Sequence, residues 1–277
     1  MVSLNSNRIL RSLLFVGLLG TAPLAGQEGP DTLSVFFLGN SYTYFNNLPG
    51  ILEGISEGLD GPRLETDSHT HGGYTLRRHA DDGHLPGAFG DPGAAGSQWD
   101  VVVLQEQSSL ATTTDTLTGE LGRPDQFQGA VRDLEALVRG LGATPALYMT
   151  WAKKRWPNQL DEISEAYRGA GAALDSPVAP VGAAWAAVID QRPDLELFVA
   201  DGSHPTPAGS YLAACVIYAT LTGTSPVGAP REVWGAPWSG GGPLESTTPT
   251  LLVSLSQRDA AYLQDVAWAF ASPQGAR

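Results

Sequence analysis

Two short segments that lie far apart in the chain carry side chains that together could act in nucleophilic catalysis. Ser41 follows Gly39 and Asn40, while Asp201 and His204 share one short stretch in the last third of the chain. An aspartate three residues before a histidine can fix the imidazole tautomer, so that the second ring nitrogen acts as a general base. A serine hydroxyl becomes an effective nucleophile beside such a base. Ser41, His204 and Asp201 are therefore candidates for a catalytic triad.

Each segment also has a simpler interpretation. Serine is a common N-cap residue, so Ser41 could do no more than begin a helix. His204 could be a solvent-facing histidine on a loop. The triad interpretation therefore depends on whether the fold brings the two segments together.

A second group of histidines could belong to a metal site, because three aspartates lie among them. Its members are His69, His71, His79 and His84, with Asp67, Asp81 and Asp82. The group lacks the helical His-x-x-x-His spacing of many zinc sites. We interpret these residues as surface loop histidines, with His79 at the border of the pocket, and we expect no metal site.

The elements that must position the candidate residues follow from the apolar pattern. Compact apolar runs predict buried strands at 33–38, 99–104 and 146–150, with a weaker candidate at 177–181. Helices are predicted between and after them, the first with Asn47 as its N-cap and Pro49 in its first turn. Their core positions are 48–59, 127–138, 160–174, 208–221 and 256–270. Alternating strands and helices predict a parallel sheet covered on both faces, an α/β/α sandwich.

The candidate residues fall where such a sheet would place a site. Open parallel sheets bind ligands at the carboxyl ends of their strands. Ser41 follows the predicted strand 33–38, and Asp201 follows the apolar stretch 195–200, which we interpret as another strand. We therefore expect Ser41 and His204 to meet at one edge of the sheet. The segment 223–249 is rich in Gly, Pro and Ser, which predicts a long loop.

The two segments resemble the motifs of the SGNH hydrolase superfamily, also called GDSL-like lipases and esterases. The resemblance rests on Gly39-Asn40-Ser41 after the first strand and on Asp201-x-x-His204-Pro205 before the C-terminal helices, and it covers roughly 33–221. It implies a three-layer α/β/α sandwich of flavodoxin-like type with a central parallel five-stranded sheet. It also implies that Ser41 is the nucleophile, that Asp201 and His204 complete the triad, and that no cofactor is needed.

The same resemblance implies an oxyanion hole built from three donors. They are the backbone N–H of Ser41, a glycine N–H from a second motif and an asparagine side chain from a third. Gly73, in the stretch HGGYT, is the best match for the glycine, with its neighbour Gly72 as the alternative. The third motif usually reads Gly-x-Asn-Asp, but LQEQS follows the predicted strand 99–104 here. We expect Gln105 to replace the asparagine, with Gln107 as the second choice.

Charge and cysteine content argue against nucleic-acid and anionic-membrane partners and against a disulfide-stabilised domain. The chain of 277 residues has 29 acidic and 16 basic side chains, a formal net charge of −13. Nucleic acids and anionic membranes both need a cationic face, so neither is expected as a partner. Cys215 is the single cysteine, which excludes an intrachain disulfide.

The N-terminal region has the layout of a secretory signal peptide. Arg8 and Arg11 precede an apolar run at 13–19, and small residues follow through Gly26. The run is too short to span a bilayer, so we expect no stable membrane insertion. Residues 1–26 are thus predicted to be a signal peptide and 27–277 a single catalytic domain, secreted or periplasmic. A buried N-terminal strand is the alternative.

These observations predict an exported serine esterase that acts on short acyl esters. A small molecule or a carbohydrate carrying O-acetyl groups is the expected substrate. Two alternatives remain. The altered third motif leaves open a noncatalytic carbohydrate-binding protein on the same fold, and a sugar hydroxyl in place of water would make the protein an O-acyltransferase.

Overall fold

A computed structural model describes residues 32–82, 99–107, 109–113, 122–239, 242–243 and 248–272. The predicted signal peptide, 1–26, lies outside the described residues, as do His84 and Ser108. Among the helices of the described part, none is long and apolar enough to cross a membrane.

The core of the fold is a sheet of five parallel strands. They are β1 (Thr32–Gly39), β2 (Arg63–Thr70), β3 (Val101–Leu104), β4 (Thr144–Tyr148) and β5 (Val178–Ala179). Their order across the sheet is β2-β1-β3-β4-β5, which is the flavodoxin-like order. In the register of the two central strands, Val35 pairs with Val101 and Leu38 with Leu104. The predicted five-stranded parallel sheet is confirmed.

One predicted strand is wrong and one real strand was missed. The stretch 195–200 joins no strand of the sheet and makes only an isolated bridge between Phe198 and Pro205. The fifth strand is instead β2, which pairs with β1 along its whole length. Because β2 lies at the edge of the sheet, most of its side chains stay polar, and only Leu64 and Thr70 are buried.

Eight helices in the described residues pack around the sheet. They are α1 (Ser41–Tyr44), α2 (Leu48–Glu57), α3 (Leu76–Asp81), α4 (Pro124–Gly140), α5 (Leu160–Leu174), α6 (Val181–Gln191), α7 (Pro207–Thr222) and α8 (Gln257–Ala271). Two short 3₁₀ helices, Phe45–Asn47 and Pro157–Gln159, precede α2 and α5. The side chain of Asn47 caps α2, as predicted, by accepting a hydrogen bond from the N–H of Gly50 at 3.1 Å. The five predicted helices are confirmed, whereas α1, α3 and α6 were not predicted.

Alternate side chains of the strands fill two separate cores. Val35 and Phe37 of β1 face the core shared with α2, α6, α7 and α8. Phe36 and Leu38 face the core shared with α3, α4 and α5. Each face of the sheet is thus covered by helices, which confirms the three-layer α/β/α sandwich.

Helix α7 is buried on all sides. Every residue from 208 to 219 is buried, and Pro207–Thr222 contains no charged residue. The helix packs against α2, α6 and α8 as well as β5 and β9 (Thr250–Ser254). A helix that is apolar all round needs such a central position.

The segment predicted as a long loop at 223–249 contains three short strands in its described part. They are β6 (Glu232–Gly235), β7 (Trp238–Ser239) and β8 (Gly242–Pro243). β6 pairs antiparallel with β9, and β7 pairs antiparallel with β8. These ribbons bring Trp238 toward the carboxyl end of β1, where its ring packs 4.9 Å from that of Phe45.

Candidate active site

The turn between β1 and α1 places Ser41 at the carboxyl edge of the sheet. Asn40 caps the single turn of α1, and its Oδ1 accepts a hydrogen bond from the N–H of Tyr42 at 3.1 Å. Its Nδ2 donates to the carbonyl of Tyr74 at 2.9 Å, which ties the turn to the loop after β2. Ser41, the first residue of the helix, therefore has a backbone fixed from both sides.

The loop before α7 holds Asp201 and His204 in one rigid unit. Asp201 Oδ1 accepts hydrogen bonds from the N–H groups of Ser203 at 2.7 Å and His204 at 2.9 Å. Asp201 Oδ2 lies 2.6 Å from His204 Nδ1. Burial opposes ionisation of Asp201, but the hydrogen bonds from the His204 ring and from these two backbone groups outweigh it and hold the pKa of Asp201 below its usual value. The loop thus presents a carboxylate to the imidazole.

The two segments meet across the sheet edge. His204 Nε2 lies 2.9 Å from Ser41 Oγ, so Asp201, His204 and Ser41 form one hydrogen-bonded chain. The ring of Phe45 stacks on the His204 ring with a centroid distance of 4.2 Å and an interplanar angle of 14°. The structure therefore brings together the three residues expected to form a triad, although His204 stands on a loop and not at the end of a strand.

A cavity of ≈ 340 Å³ opens beside this chain. Ser41 and His204 line it together with both candidate glycines, Gly72 and Gly73. Gly73 has a φ of +68°, a left-handed conformation that favours glycine. The turn between β2 and α3 thus brings its backbone to the cavity, as the expected oxyanion hole requires.

The expectation that Gln105 donates to the oxyanion is wrong. Gln105 is fully buried, and its Oε1 accepts hydrogen bonds from the Asn40 N–H and the Thr43 hydroxyl, both at 2.9 Å. Its Nε2 donates to the carbonyl of Glu106. Because β3 ends at Leu104 while the chain still pairs with β1 at residue 105, this side chain points beneath the nucleophile turn and not into the cavity.

Gln107, the second choice, does line the cavity. Its Oε1 accepts hydrogen bonds from the N–H of Ser109 at 3.0 Å and from the Ser109 hydroxyl at 3.3 Å. This orientation directs Oε1 toward Ser109 and leaves the Nε2 amide as the group that can donate to a ligand. Gln105 therefore supports the nucleophile turn, whereas Gln107 faces the cavity.

Glu106, between the two glutamines, was not singled out by the sequence. The side chain is fully buried, and its Oε1 accepts from the N–H of Leu76 at 3.0 Å and from its neighbour Gln107 at 2.6 Å. Burial raises the pKa of Glu106 to about 8. Glu106 thus links the loop that carries Gly73 to the loop that carries Gln107.

His79 is also buried, contrary to its interpretation as a surface loop residue. It lies in α3 with 1% of its surface exposed, and its Nε2 donates to the carbonyl of Gly39 at 2.7 Å. Burial, with smaller contributions from the neighbouring His69 and His71, lowers the pKa of His79 to about 4. His79 therefore supports the last residue of β1 in its neutral form.

The histidines around His79 form an aromatic cluster. The ring centroid of His69 lies 4.9 Å from that of His71 and 5.5 Å from that of His79. Within the parts of the chain that the structure describes, no group of three His, Cys, Asp or Glu residues could hold a metal ion.

The comparisons with known proteins were made on sequence and on structure. No protein-family model and no curated protein matches the chain. A protein of Slackia heliotrinireducens proposed to be an SGNH hydrolase is 29% identical, with a TM-score of 0.56 over 69% of this chain and 99% of that one. The chain has the fold of the SGNH hydrolases.

Two further solved structures have the same fold at lower identity. A DUF4886 family protein from Bacteroides uniformis is 17% identical, with a TM-score of 0.63 over 88% of this chain and 96% of that one. An acetylxylan esterase from Geobacillus stearothermophilus is 14% identical, with a TM-score of 0.50 over 67% of this chain and 92% of that one. The SGNH fold thus extends to neighbours of quite different sequence.

Two aromatic residues that line the cavity were missed in the sequence. Tyr44 follows Ser41 by three residues, which places both on the same side of the α1 turn, and this spacing was the available signal. Phe45, the next residue, stacks on His204 and so joins the nucleophile segment to the histidine loop. No local pattern indicates that second contact, because it depends on a residue 159 positions away.

Proposed function

We propose that this protein is a serine esterase that hydrolyses short acyl esters through Ser41, His204 and Asp201. One observation carries the proposal, namely the chain of hydrogen-bond distances of 2.9 Å from Ser41 Oγ to His204 Nε2 and 2.6 Å from His204 Nδ1 to Asp201 Oδ2. Both distances are within hydrogen-bonding range, so His204 can take the Ser41 proton while Asp201 holds the imidazole in place. The SGNH fold supports the assignment.

In the acylation step, Ser41 Oγ attacks the ester carbonyl carbon and His204 Nε2 takes its proton. Asp201, ionised at neutral pH, holds the Nδ1–H tautomer and stabilises the imidazolium that forms. His204 then gives the proton to the leaving alcohol as the C–O bond breaks. Water, activated by the same imidazole, releases the acid from Ser41.

Backbone and side-chain donors around the cavity would stabilise the negative charge on the carbonyl oxygen. We assign this role to the N–H groups of Ser41 and Gly73, with the Nε2 amide of Gln107 in the place expected for Gln105. All three residues line the same cavity. The loss of one such donor typically costs about 3 kcal/mol of transition-state stabilisation.

A small acyl group on a carbohydrate is the substrate that we propose. The cavity of ≈ 340 Å³ is at the small end of ligand sites. Phe45 and Trp238, whose ring centroids are 4.9 Å apart, form an aromatic rim beside His204 on which a sugar ring can stack. The shared fold with an acetylxylan esterase agrees with this choice. Export, indicated by residues 1–26, would give the enzyme access to extracellular polymers.

The direct test compares the wild type with Ser41→Ala on 4-nitrophenyl esters of increasing acyl length. We expect the wild type to prefer acetate and Ser41→Ala to lose activity while it melts at an unchanged temperature. Ser225→Ala, which removes a hydroxyl from an exposed loop, serves as the matched control. A fluorophosphonate should label the wild type and Ser225→Ala but not Ser41→Ala.

Other outcomes would favour the alternatives. A fully active Ser41→Ala would end the proposal. Binding of an acetylated oligosaccharide without turnover would favour the carbohydrate-binding protein. Product that forms only with a sugar acceptor would favour the acyltransferase.

A further inference from the structure

We propose that the phenol of Tyr44 is a further catalytic group, which donates a hydrogen bond to the oxyanion of the reaction proposed above. Tyr44 is the last residue of α1, three positions after Ser41. Its side chain lines the same cavity and keeps only 6% of its surface exposed. The inference rests on the proposed esterase function and adds a donor to Gln107 and the two backbone N–H groups.

The hydroxyl of Tyr44 lies between the nucleophile and the glycine loop. It lies near the Ser41 side chain, which partly offsets the rise that burial causes in the pKa of Tyr44. On the opposite side, a Cβ atom built on Gly72 would lie only 3.2 Å from the Tyr44 hydroxyl oxygen. A carbonyl oxygen held by the N–H groups of Ser41 and Gly73 would occupy this same space, so the phenol can reach it by rotation of its O–H bond alone.

The phenol is suited to donate and remains protonated. Burial raises the pKa of Tyr44 above its usual value, and the nearby Ser41 side chain offsets only part of this change. The ring packs against those of Phe45, at a centroid distance of 5.8 Å, and Trp238, at 6.5 Å. These contacts hold the ring before substrate arrives, which is the condition under which a donor lowers a barrier most.

The proton balance of the step is unchanged by this donor. As the bond from Ser41 Oγ to the carbonyl carbon forms, the π electrons of the carbonyl move to oxygen and the serine proton moves to His204. Tyr44 keeps its own proton and donates a hydrogen bond to the new oxyanion. When the bond to the leaving alcohol breaks, the carbonyl reforms and the hydrogen bond from Tyr44 to the oxyanion weakens.

A pair of matched esters tests whether Tyr44 acts on the oxyanion. 4-Nitrophenyl acetate develops negative charge on oxygen, whereas its thiono analogue develops the charge on sulfur, a much weaker hydrogen-bond acceptor. For Tyr44→Phe we expect kcat on the oxygen ester to fall about 10²-fold with little change in KM. The loss on the thiono ester should be several-fold at most. The ratio of kcat/KM on the oxygen ester to kcat/KM on the thiono ester should therefore be lower for Tyr44→Phe than for the wild type.

Controls separate this role from a purely structural one. Tyr262→Phe removes a hydroxyl that hydrogen-bonds Gln191 at 3.3 Å, far from the cavity, and should keep wild-type rates on both esters. Thermal melting should show that Tyr44→Phe is folded. Equal losses on the two esters would mean that Tyr44 only positions Ser41, and unchanged kinetics would mean that it has no role. Either result overturns the inference.

Failure of the inference can be told apart from failure of the proposed function. If Ser41→Ala is inactive and Tyr44→Phe behaves as the wild type, the esterase stands and only the Tyr44 role falls. If the wild type and Ser41→Ala are equally inactive, both proposals fall.

Discussion

The same three side-chain types, a carboxyl, an imidazole and a carboxamide, occur in two layers around the nucleophile turn. The outer layer borders the cavity or its triad and consists of Asp201, His204 and Gln107. The inner layer is buried beneath the turn and consists of Glu106, His79 and Gln105. The comparison teaches that the surroundings, and not the residue type, decide which groups can take part in chemistry.

The two carboxyl groups differ most clearly. Asp201 is half exposed, and its hydrogen bonds to the His204 ring and backbone keep its pKa below the usual value despite partial burial. Glu106 has backbone N–H groups as partners, and burial raises its pKa to about 8. One group is thus a carboxylate that can stabilise an imidazolium, and the other is a neutral acid that holds two loops.

Replacement of the carboxyl in each layer should give the largest difference in kcat between two variants. Asp201→Asn should lower kcat by about 10³- to 10⁴-fold, because an amide cannot stabilise the imidazolium or hold its tautomer. Glu106→Gln mimics the protonated acid and should keep kcat within about threefold at pH 7, since burial already favours the neutral form. Steady-state kinetics with 4-nitrophenyl acetate measure both. Similar losses in the two variants would contradict the division into layers.

Replacement of Gln107 should lower turnover, whereas replacement of Gln105 should lower stability. Gln107→Leu is expected to reduce kcat about 10²-fold, as for other oxyanion donors, with an unchanged unfolding midpoint. Gln105→Leu leaves the buried N–H of Asn40 without its acceptor, which should cost about 1–3 kcal/mol of unfolding free energy. Urea unfolding and kinetics on both variants give the comparison. A stable Gln105→Leu protein with poor turnover would return the catalytic role to Gln105.

The inner histidine should matter for folding more than for turnover. His79→Ala removes a buried ring and the hydrogen bond to the Gly39 carbonyl, so we expect the unfolding free energy to fall by about 2–3 kcal/mol. The pKa of His79, about 4, is below its value in the unfolded chain, so its neutral form stabilises the fold above pH 6.5 and this contribution is lost as the pH falls toward 4. Urea titrations between pH 4 and 7 should show a smaller acid destabilisation in His79→Ala.

The inner carboxyl should give an effect with the opposite pH dependence. The pKa of Glu106 is raised in the folded state, so its stabilising contribution is complete below pH 4.5 and is lost as the pH rises to about 8. Glu106→Gln has no proton to lose, so its melting temperature should rise relative to that of the wild type across this interval. The shift in pKa corresponds to about 3 kcal/mol, or roughly 6–12 °C, when the two proteins are compared at pH 5 and pH 8. A constant difference would mean that Glu106 is ionised throughout.

The sequence predicts the residues around the cavity better than the inner layer, for a physical reason. Ser41 and Gly73 lie at turns whose backbone is set locally, by the end of a buried strand or by a glycine, and local patterns indicate such turns. The buried position of Gln105 depends on β1 and α1, which pack on it from other parts of the chain. Residues 105 and 107 are two apart, so no alternation pattern distinguishes them.

The missed strand and the wrong one illustrate the same limit. The side chains of β2 are mostly polar, so this edge strand lacks the continuous apolar run from which buried strands are predicted. Its pairing with β1 depends on contacts that the local sequence does not show. The stretch 195–200 has that apolar composition, yet Leu197 and Phe198 pack into the core from a loop. His204 reaches Ser41 without the predicted strand because its loop is fixed by hydrogen bonds such as that from Trp151 Nε1 to the Ser203 carbonyl, 2.9 Å.

Helix α7 is enclosed by its neighbours in the folded protein, but its uncharged segment can aggregate before folding is complete. Its sixteen residues carry no charge that could keep an unfolded copy from self-association. During refolding, this segment stays in contact with water until α2, α6 and α8 cover it. Recovery of native protein from denaturant should therefore decline as the concentration rises, with precipitates forming through this segment.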